Sequence, residues 1–459
     1  MDIQSRVLAY KEDIIEDIKR LVNIKSVEEA PQVGMPFGEG PAKALAEALK
    51  LGEEKGFTTK NVDNYAGYIE MGSGEDLIGI LAHVDVVPEG DGWTYEPYNC
   101  TLADGYLYGR GVADDKGPAI MGLYAMKIIK EMQIPLNKRI RLVLGSNEET
   151  GFGCVKHYKE VEGGFTMGFT PDAGFPVTFG EKGNYSADFS AKLDNDCEVK
   201  ILNLSGGEAR NVVAPSCSCV IDAEAEKLEE IKVAFEKFYK ENDTTGVILV
   251  ENGQTTLVLD GKPAHASLPE LGMNAISYMI EFLSRYTTCS FVTGYNELIK
   301  TDFNGKYCGA YSQDQYGITT MNIGMISTVD GVATATIDIR FPVTSEYDSN
   351  KEDIKNNFEA KGFGFRIHKS TNPLFVDPNS DLIKALYDTY VEVTGDTENK
   401  PMTMGGGTYA KAFDNMVAFG PEFVGENNRI HMADEYISVE SVLKATEIYV
   451  KALIKMLEI

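Results

Sequence analysis

The run LIGILAHVDVV, residues 77–87, constrains the fold of this chain more than any other segment. It is apolar up to His83 and Asp85 and is bounded by turn residues. An apolar run without polar alternation is covered on both faces, as strands inside a parallel sheet are. The segment GPAIMGLYAMKIIKEM (117–132) then reads as a helix, and KRIRLVLGSNEE (138–149) as a second strand entering a loop. Strand, helix and strand in that order predict a βαβ unit and a mostly parallel sheet. Loops after parallel strands gather at the carboxyl ends of those strands, where active sites of such sheets lie. His83 and Asp85 fall at that place.

The flanks and the middle differ in character. Residues 2–22 carry Val7, Leu8, Ile14, Ile15, Ile18, Leu21 and Val22 near helical spacing, which predicts one amphipathic helix. Residues 380–394 and 438–457 read as helices near the C-terminus. In the middle, TTLVLDGKPAHAS (255–267) and GVATATIDIRFPV (331–343) alternate or are β-branched, with helices around 226–240 and 273–286. That is an α+β pattern and suggests a second domain. At roughly 150 residues per domain, 459 residues allow two or three.

Composition excludes some functions. A formal charge of −27 argues against nucleic acid, which requires clustered Lys and Arg, and against anionic membranes. The charge is read as a solubility device, with a few carboxylates free to be ligands. Seven scattered cysteines predict free thiols in a reducing compartment. The charged N-terminal segment lacks the apolar run of a signal peptide, and no stretch approaches the ~20 apolar residues of a membrane span. The expected location is the cytoplasm.

Five segments carry residues suited to metal chemistry, and each has a plain alternative. His83 and Asp85 fit a ligand and its orienting partner, since residues two apart on a strand share a side; a lone His is more often a satisfied core residue. Asp114 and Asp115, in GRGVADDKGP, sit in a Gly-rich turn opening a helix and could simply cap it. Glu148 and Glu149, in GSNEETG, could divide into ligand and general base or be solvated. Asp172, in TPDAGFP, is a ligand or a turn former. His431 lies in RIHMADEY. What favours the chemical reading is their joint occurrence. Of five histidines, His83 and His431 fall in such segments, His265 lies in a Gly-Pro-rich loop (in AHAS), and His157 and His368 read as surface residues.

Taken together, HVDVVPEGDGW, GRGVADDKGP, NEETG, PDAGFP, GKPAHASLP, GGGTYA and RIHMADEY resemble the signature blocks of the co-catalytic zinc peptidase family, which contains carboxypeptidase G, acetylornithine deacetylase, aminoacylase and carnosinase. The likeness spans residues 83–436 and is strongest to the bacterial dipeptidase branch typified by PepV. The resemblance implies that His83, Asp114 and Asp172 hold one metal ion and Asp114, Glu149 and His431 a second, with Asp114 bridging and a cis peptide after it. It implies that Asp85 sets the His83 tautomer and that Glu148 is the general base. It implies that His265 stabilises the oxyanion, that Arg340 (in DIRFP) takes a substrate carboxylate with Gly406 and Gly407 nearby, and that Asn211 (in RNVVAP) also contacts substrate. An arginine on an alternating strand can equally be a surface ion-pair residue. Mixed His and carboxylate ligands suit Zn²⁺ first, with Mn²⁺ or Co²⁺ as alternatives, and two such ions can share a hydroxide.

The expected architecture is therefore α/β. Residues 1–179 and 376–459 make a catalytic domain with a mixed, mostly parallel sheet and flanking helices, and 180–375 an inserted α+β lid. The expected function is a two-metal dipeptidase acting on dipeptides with a free C-terminal carboxylate. An N-acyl-amino acid deacylase is the alternative, and an inactive metal-binding protein is less favoured. The long insertion has room for two lobes, which implies a monomer using its own His265.

Overall fold

The computed structural model describes residues 2–194, 196–251, 253–345 and 347–459. Two compact units are formed. One joins the chain up to Gly180 with Phe375–Ile459, and the other is Glu181–Leu374.

The first unit is built on a nine-stranded mixed sheet. Its centre is four parallel strands in the order Arg139–Gly145, Leu77–His83, Met167–Thr170 and Met416–Ala418. Antiparallel strands flank this centre on both sides. Every residue of Leu77–His83 is buried. Ile78, Ile80 and Leu81 are nearly or wholly enclosed, and each such side chain contributes roughly 1.5–3 kcal/mol by leaving water. The helix Lys116–Glu131 packs on Leu77–His83 and Arg139–Gly145, and against Lys11–Val22 and Val439–Glu458. Neighbours on every side explain why this helix lacks a polar face.

Two sequence expectations change at their edges. The strand predicted over 77–87 ends at His83, because its partner ends at Gly145; the Val84 N–H donates to the Gly145 carbonyl (2.9 Å), and the chain then turns so that the Val86 N–H donates to Ser26. The helix predicted over 2–22 is two helices, Ile3–Ala9 and Lys11–Val22, broken at Tyr10. The Tyr10 hydroxyl donates to Glu131 at 2.6 Å. The second half buries Ile14, Ile15, Ile18, Leu21 and Val22, whereas the first buries Val7 and leaves Leu8 exposed.

The second unit has an eight-stranded sheet, antiparallel at every pairing described. One half comprises Lys200–Gly206, Ser216–Asp222, Gln254–Asp260 and Gly246–Glu251. The other comprises Thr320–Val329, Val332–Phe341, Gly183–Lys192 and Gly364–Thr371. The halves meet at the register pair Gly206↔Ile326, beside which Thr328 Oγ1 donates to and accepts from the Leu204 backbone. One apolar core spans both halves, with Phe189 packed on Phe291, Tyr295, Phe358 and Phe363. Among the described residues, no helix is long and apolar enough to cross a membrane.

Candidate active site

The parallel centre of the first unit places its loops on one edge. His83 ends the strand Leu77–His83, Glu148 and Glu149 follow Arg139–Gly145, and Asp172 follows Met167–Thr170. Asp114 precedes the helix Lys116–Glu131, and His431 sits in the loop before Tyr436–Ser438.

His83 is buried and its two nitrogens have different partners. Nδ1 lies 3.0 Å from the main-chain carbonyl of Asp85, so it must carry the proton. Nε2 lies 3.0 Å from Asp114 Oδ1 and is the nitrogen left to face a cation. The orienting acceptor is thus the Asp85 carbonyl, whereas the Asp85 carboxylate stands 3.6 Å from Nδ1. Asp85 lies past the strand end, where the alternation that would aim its side chain at His83 no longer holds. Its Oδ2 instead accepts the backbone N–H groups of Glu148 (2.8 Å) and Glu149 (3.1 Å), fixing the loop that presents both glutamates.

The peptide Asp114–Asp115 is cis, and the two acids face different ways. Asp115 Oδ2 accepts the His83 N–H at 3.1 Å, which anchors the strand end; neither acid caps the helix through its side chain. Asp114 Oδ1 meets His83 and Oδ2 meets His431 Nε2 at 2.9 Å. His431 Nε2 also lies 3.1 Å from Glu149 Oε2. Ligand atoms of His83, Asp114 and Glu149 lie within 4.8 Å of one another, and so do those of His83, Glu148 and Asp172. A cavity of about 290 Å³ opens on this cluster and is also lined by Met404, Gly406, Gly407, Glu422 and Asn428.

Electrostatics fit a cation. Burial pushes Glu148 well above the usual carboxylate range, and Glu149 and Asp114 add to it. Burial raises Asp172 similarly, reinforced by Asp114 and Glu148. Burial would raise Asp114 too, but hydrogen bonds from His431 and His83 outweigh it and hold it low. His431 is raised to about 10 by its bonds to Asp114 and Glu149. So many buried carboxylates around two imidazoles are repulsive without added positive charge. The donor set, mixed imidazole and carboxylate with a preset His83 tautomer, fits divalent zinc, manganese or cobalt.

Of the remaining residues singled out in the sequence, His265, Asn211, Arg340 and His368 lie in the second unit and His157 in the first. His265 is exposed; its Nδ1 accepts the Ser267 N–H (3.2 Å) and lies 2.7 Å from Ser267 Oγ, which leaves Nε2 as a donor. Burial lowers its pKa, and the positive charge of Arg340 adds to this, so the ring is neutral near pH 7. Asn211 is exposed, and its carbonyl accepts the Ala266 N–H at 2.9 Å, which holds it beside His265. Arg340 is in an ion pair, as the surface alternative allows. Its Nε and Nη2 donate to both oxygens of Asp338 (2.6 and 3.2 Å), which fixes the guanidinium plane. His157 is paired with Asp63 and stacked on Tyr65, and His368 is paired with Asp188.

Three site residues escaped the sequence reading: Tyr409, Glu435 and Arg110. Tyr409 is buried with its ring 6.0 Å from His83, and its hydroxyl bonds Cys154. Glu435, in RIHMADEY, is fully buried and bonds Arg110 and the 111–114 backbone. In sequence, the Asp434-Glu435 pair looks like ordinary loop acids, and no local pattern marks one as buried.

A buried cluster of His, Asp and Glu at the carboxyl ends of parallel strands defines a metal-dependent hydrolase. The chain belongs to the peptidase family M20/M25/M40, whose family model matches residues 79–455. Among relatives, YtjP of Bacillus subtilis (strain 168), named provisionally as a dipeptidase, is 38% identical over 468 residues, covering 99% of this chain and 100% of the relative. A Staphylococcus saprophyticus protein named in the same way, SSP1012, is 35% identical, covering 99% of each. Human carnosine dipeptidase 1 shares the fold with a TM-score of 0.61 at 15% identity, covering 100% of this chain and 98% of that one.

The His431 shift has a consequence for the metal-free protein. Its folded pKa lies above an unfolded value near ~6.5. The bonds to Asp114 and Glu149 therefore stabilise fully below ~6.5 and are lost as pH rises through about 10. Between those limits the Tm difference between wild type and His431→Ala, both metal-free, should shrink as pH rises, followed by calorimetry. A constant difference across the window contradicts the assignment.

Proposed function

We propose that this chain is a two-metal dipeptidase that hydrolyses dipeptides with a free C-terminal carboxylate. The observation that carries the reading is Asp114, whose two oxygens face His83 and His431, with Glu149 against His431. The dipeptidase names of the full-length relatives support it, and so does the name of a dinuclear metal-binding peptidase of the same family from Bacillus subtilis.

In this reading His83, Asp114 and Asp172 hold one divalent ion, and Asp114, Glu149 and His431 hold the other. Zn²⁺ is preferred, with Mn²⁺ or Co²⁺ as alternatives. Such ions polarise a scissile carbonyl and acidify water. Glu148, kept protonatable by its burial, takes the proton of the attacking water and passes it to the leaving amine. Asp85 holds the His83 ring and the 148–149 backbone. His265, neutral with Nε2–H outward, suits stabilising the oxyanion. Arg340, planar and held by Asp338, reads the substrate carboxylate with the Gly406 and Gly407 backbone, and Asn211 adds a polar contact. Seven free cysteines support a cytoplasmic location.

The direct test measures amine released from a dipeptide, its C-terminal amide and an N-acetyl amino acid. The metal-loaded protein should cleave the dipeptide well and the other two poorly. Chelation should abolish turnover, and Arg340→Ala should impair the free acid much more than the amide. Preferred cleavage of the N-acetyl amino acid would identify a deacylase, and undiminished activity after chelation would exclude the metal mechanism.

Adjacent glutamates should separate cleanly. Glu148→Gln should keep both ions and KM but lose ~10²–10⁴ in kcat, whereas Glu149→Gln should lose one ion on metal analysis. Equal metal loss would mean the roles are misassigned.

We further propose that the monomer is competent, with His265 acting in its own chain; the eight-stranded second unit supports this. Mixing His265→Ala with Glu148→Gln protein should then yield no activity, and recovery in the mixture would show action in trans.

A further inference from the structure

His431 is the half-exposed member of the ligand set and sits on an irregular loop at φ +60°. A ligand carried by a loop is only as well placed as the anchors of that loop. Two anchors lie at Asp434 and Glu435. Asp434 Oδ1 accepts the Thr94 and Tyr95 N–H groups at 2.7 and 3.3 Å. Glu435 reaches inward with its carboxylate fully enclosed. Oε1 accepts N–H groups from Gly111 (3.0 Å), Ala113 (3.0 Å) and Asp114 (3.2 Å), and Oε2 accepts Arg110 Nη1 at 2.7 Å. In the other direction, the Gly109 N–H donates to the Glu435 carbonyl at 3.0 Å. Arg110 is also buried, and its guanidinium lies over Trp93, 5.2 Å from the ring centroid, with Nη2 near the Pro88 and Glu89 carbonyls. The carboxylate therefore ties the 431–435 loop directly to the 109–114 turn and, through Arg110, to the 88–93 loop.

We propose that Glu435 is a positioning residue that sets the distance between Asp114 and His431, and so the affinity of the second metal position, the one shared by Asp114, Glu149 and His431. The inference rests on the two-metal reading above. Glu435 bonds the Asp114 amide directly and lies four residues from His431 along the loop, so its loss moves two of the three donors of that position. The other position shares Asp114 but keeps its two remaining donors, Asp172 and His83, the latter held by Asp85 and Asp115. Loss of an outer partner typically weakens metal binding ~10–100-fold, and here the weakening should fall mainly on one ion of the pair, because the other loses the placement of Asp114 alone.

The test is calorimetric titration of Zn²⁺ into chelator-stripped Glu435→Gln, full-length, against wild type. The glutamine keeps the shape and one acceptor oxygen but loses the charge that binds Arg110. One ion should bind ~10–100-fold more weakly than in wild type, and the other, which shares only Asp114, should be weakened clearly less. Activity should fall at limiting metal and return with excess metal, KM unchanged. Arg110→Lys, which keeps a cation with a poorer fork, should show the same unequal weakening and decides the matter if Glu435→Gln does not unfold cooperatively. Two wild-type affinities, or equal weakening of both, would overturn the proposal. A wild type that binds fewer than two ions would instead overturn the two-metal reading itself.

Discussion

The Asp114 carboxylate, divided between His83 and His431, is the contact on which the site depends. The two histidines come from opposite ends of the chain, and the acid between them is nearly buried. Burying several carboxylates together costs several kcal/mol per ion unless each is paired. The fold meets that cost with hydrogen bonds from imidazoles and backbone amides. Asp85 accepts the Glu148 and Glu149 amides, Asp115 that of His83, and Glu435 those of Gly111, Ala113 and Asp114. Each acid that does not face the cluster holds the backbone of one that does.

Rigid placement of this kind needs a rigid support. The four central parallel strands supply it, because each is paired on both sides and packed under helices, with the fully buried Leu77–His83 in the middle. Parallel strands also share one carboxyl edge, so loops remote in sequence meet there without special loop geometry. This accounts for human carnosine dipeptidase 1 having the same fold at 15% identity. Apolar strands can exchange side chains freely, whereas the loop residues at that edge carry the chemistry.

The second unit follows another rule. Its antiparallel sheet leaves one set of side chains outside the core; Arg340 lies on the strand Val332–Phe341 and is largely covered, and His265 lies exposed on a loop outside the sheet. Their local partners prepare them. Asp338 fixes the Arg340 plane, and Ser267 fixes the His265 tautomer. Both partners lie two residues away in sequence, and Asp338 is itself held by Asn184 Nδ2 at 3.2 Å.

By itself, the amino-acid sequence determined the α/β architecture, through the apolar runs at 77–87 and 117–132, and the chemical class, through acids and histidines near predicted strand ends in ordered blocks that resemble a known peptidase family. Those features were legible because period and strand-end position are local properties. Which atom of each residue does the work was a tertiary outcome. The Asp85 carbonyl, rather than its carboxylate, faces His83 because the strand ends where its neighbour ends at Gly145. The break at Tyr10 was invisible because apolar spacing continues across it, although Leu8 ends up exposed. Glu435, Arg110 and Tyr409 gained their places only when distant loops closed on one another, and a buried charge looks in sequence like any exposed one. Periodicity reports which side of an element is covered, and only the packed fold decides what a side chain meets there.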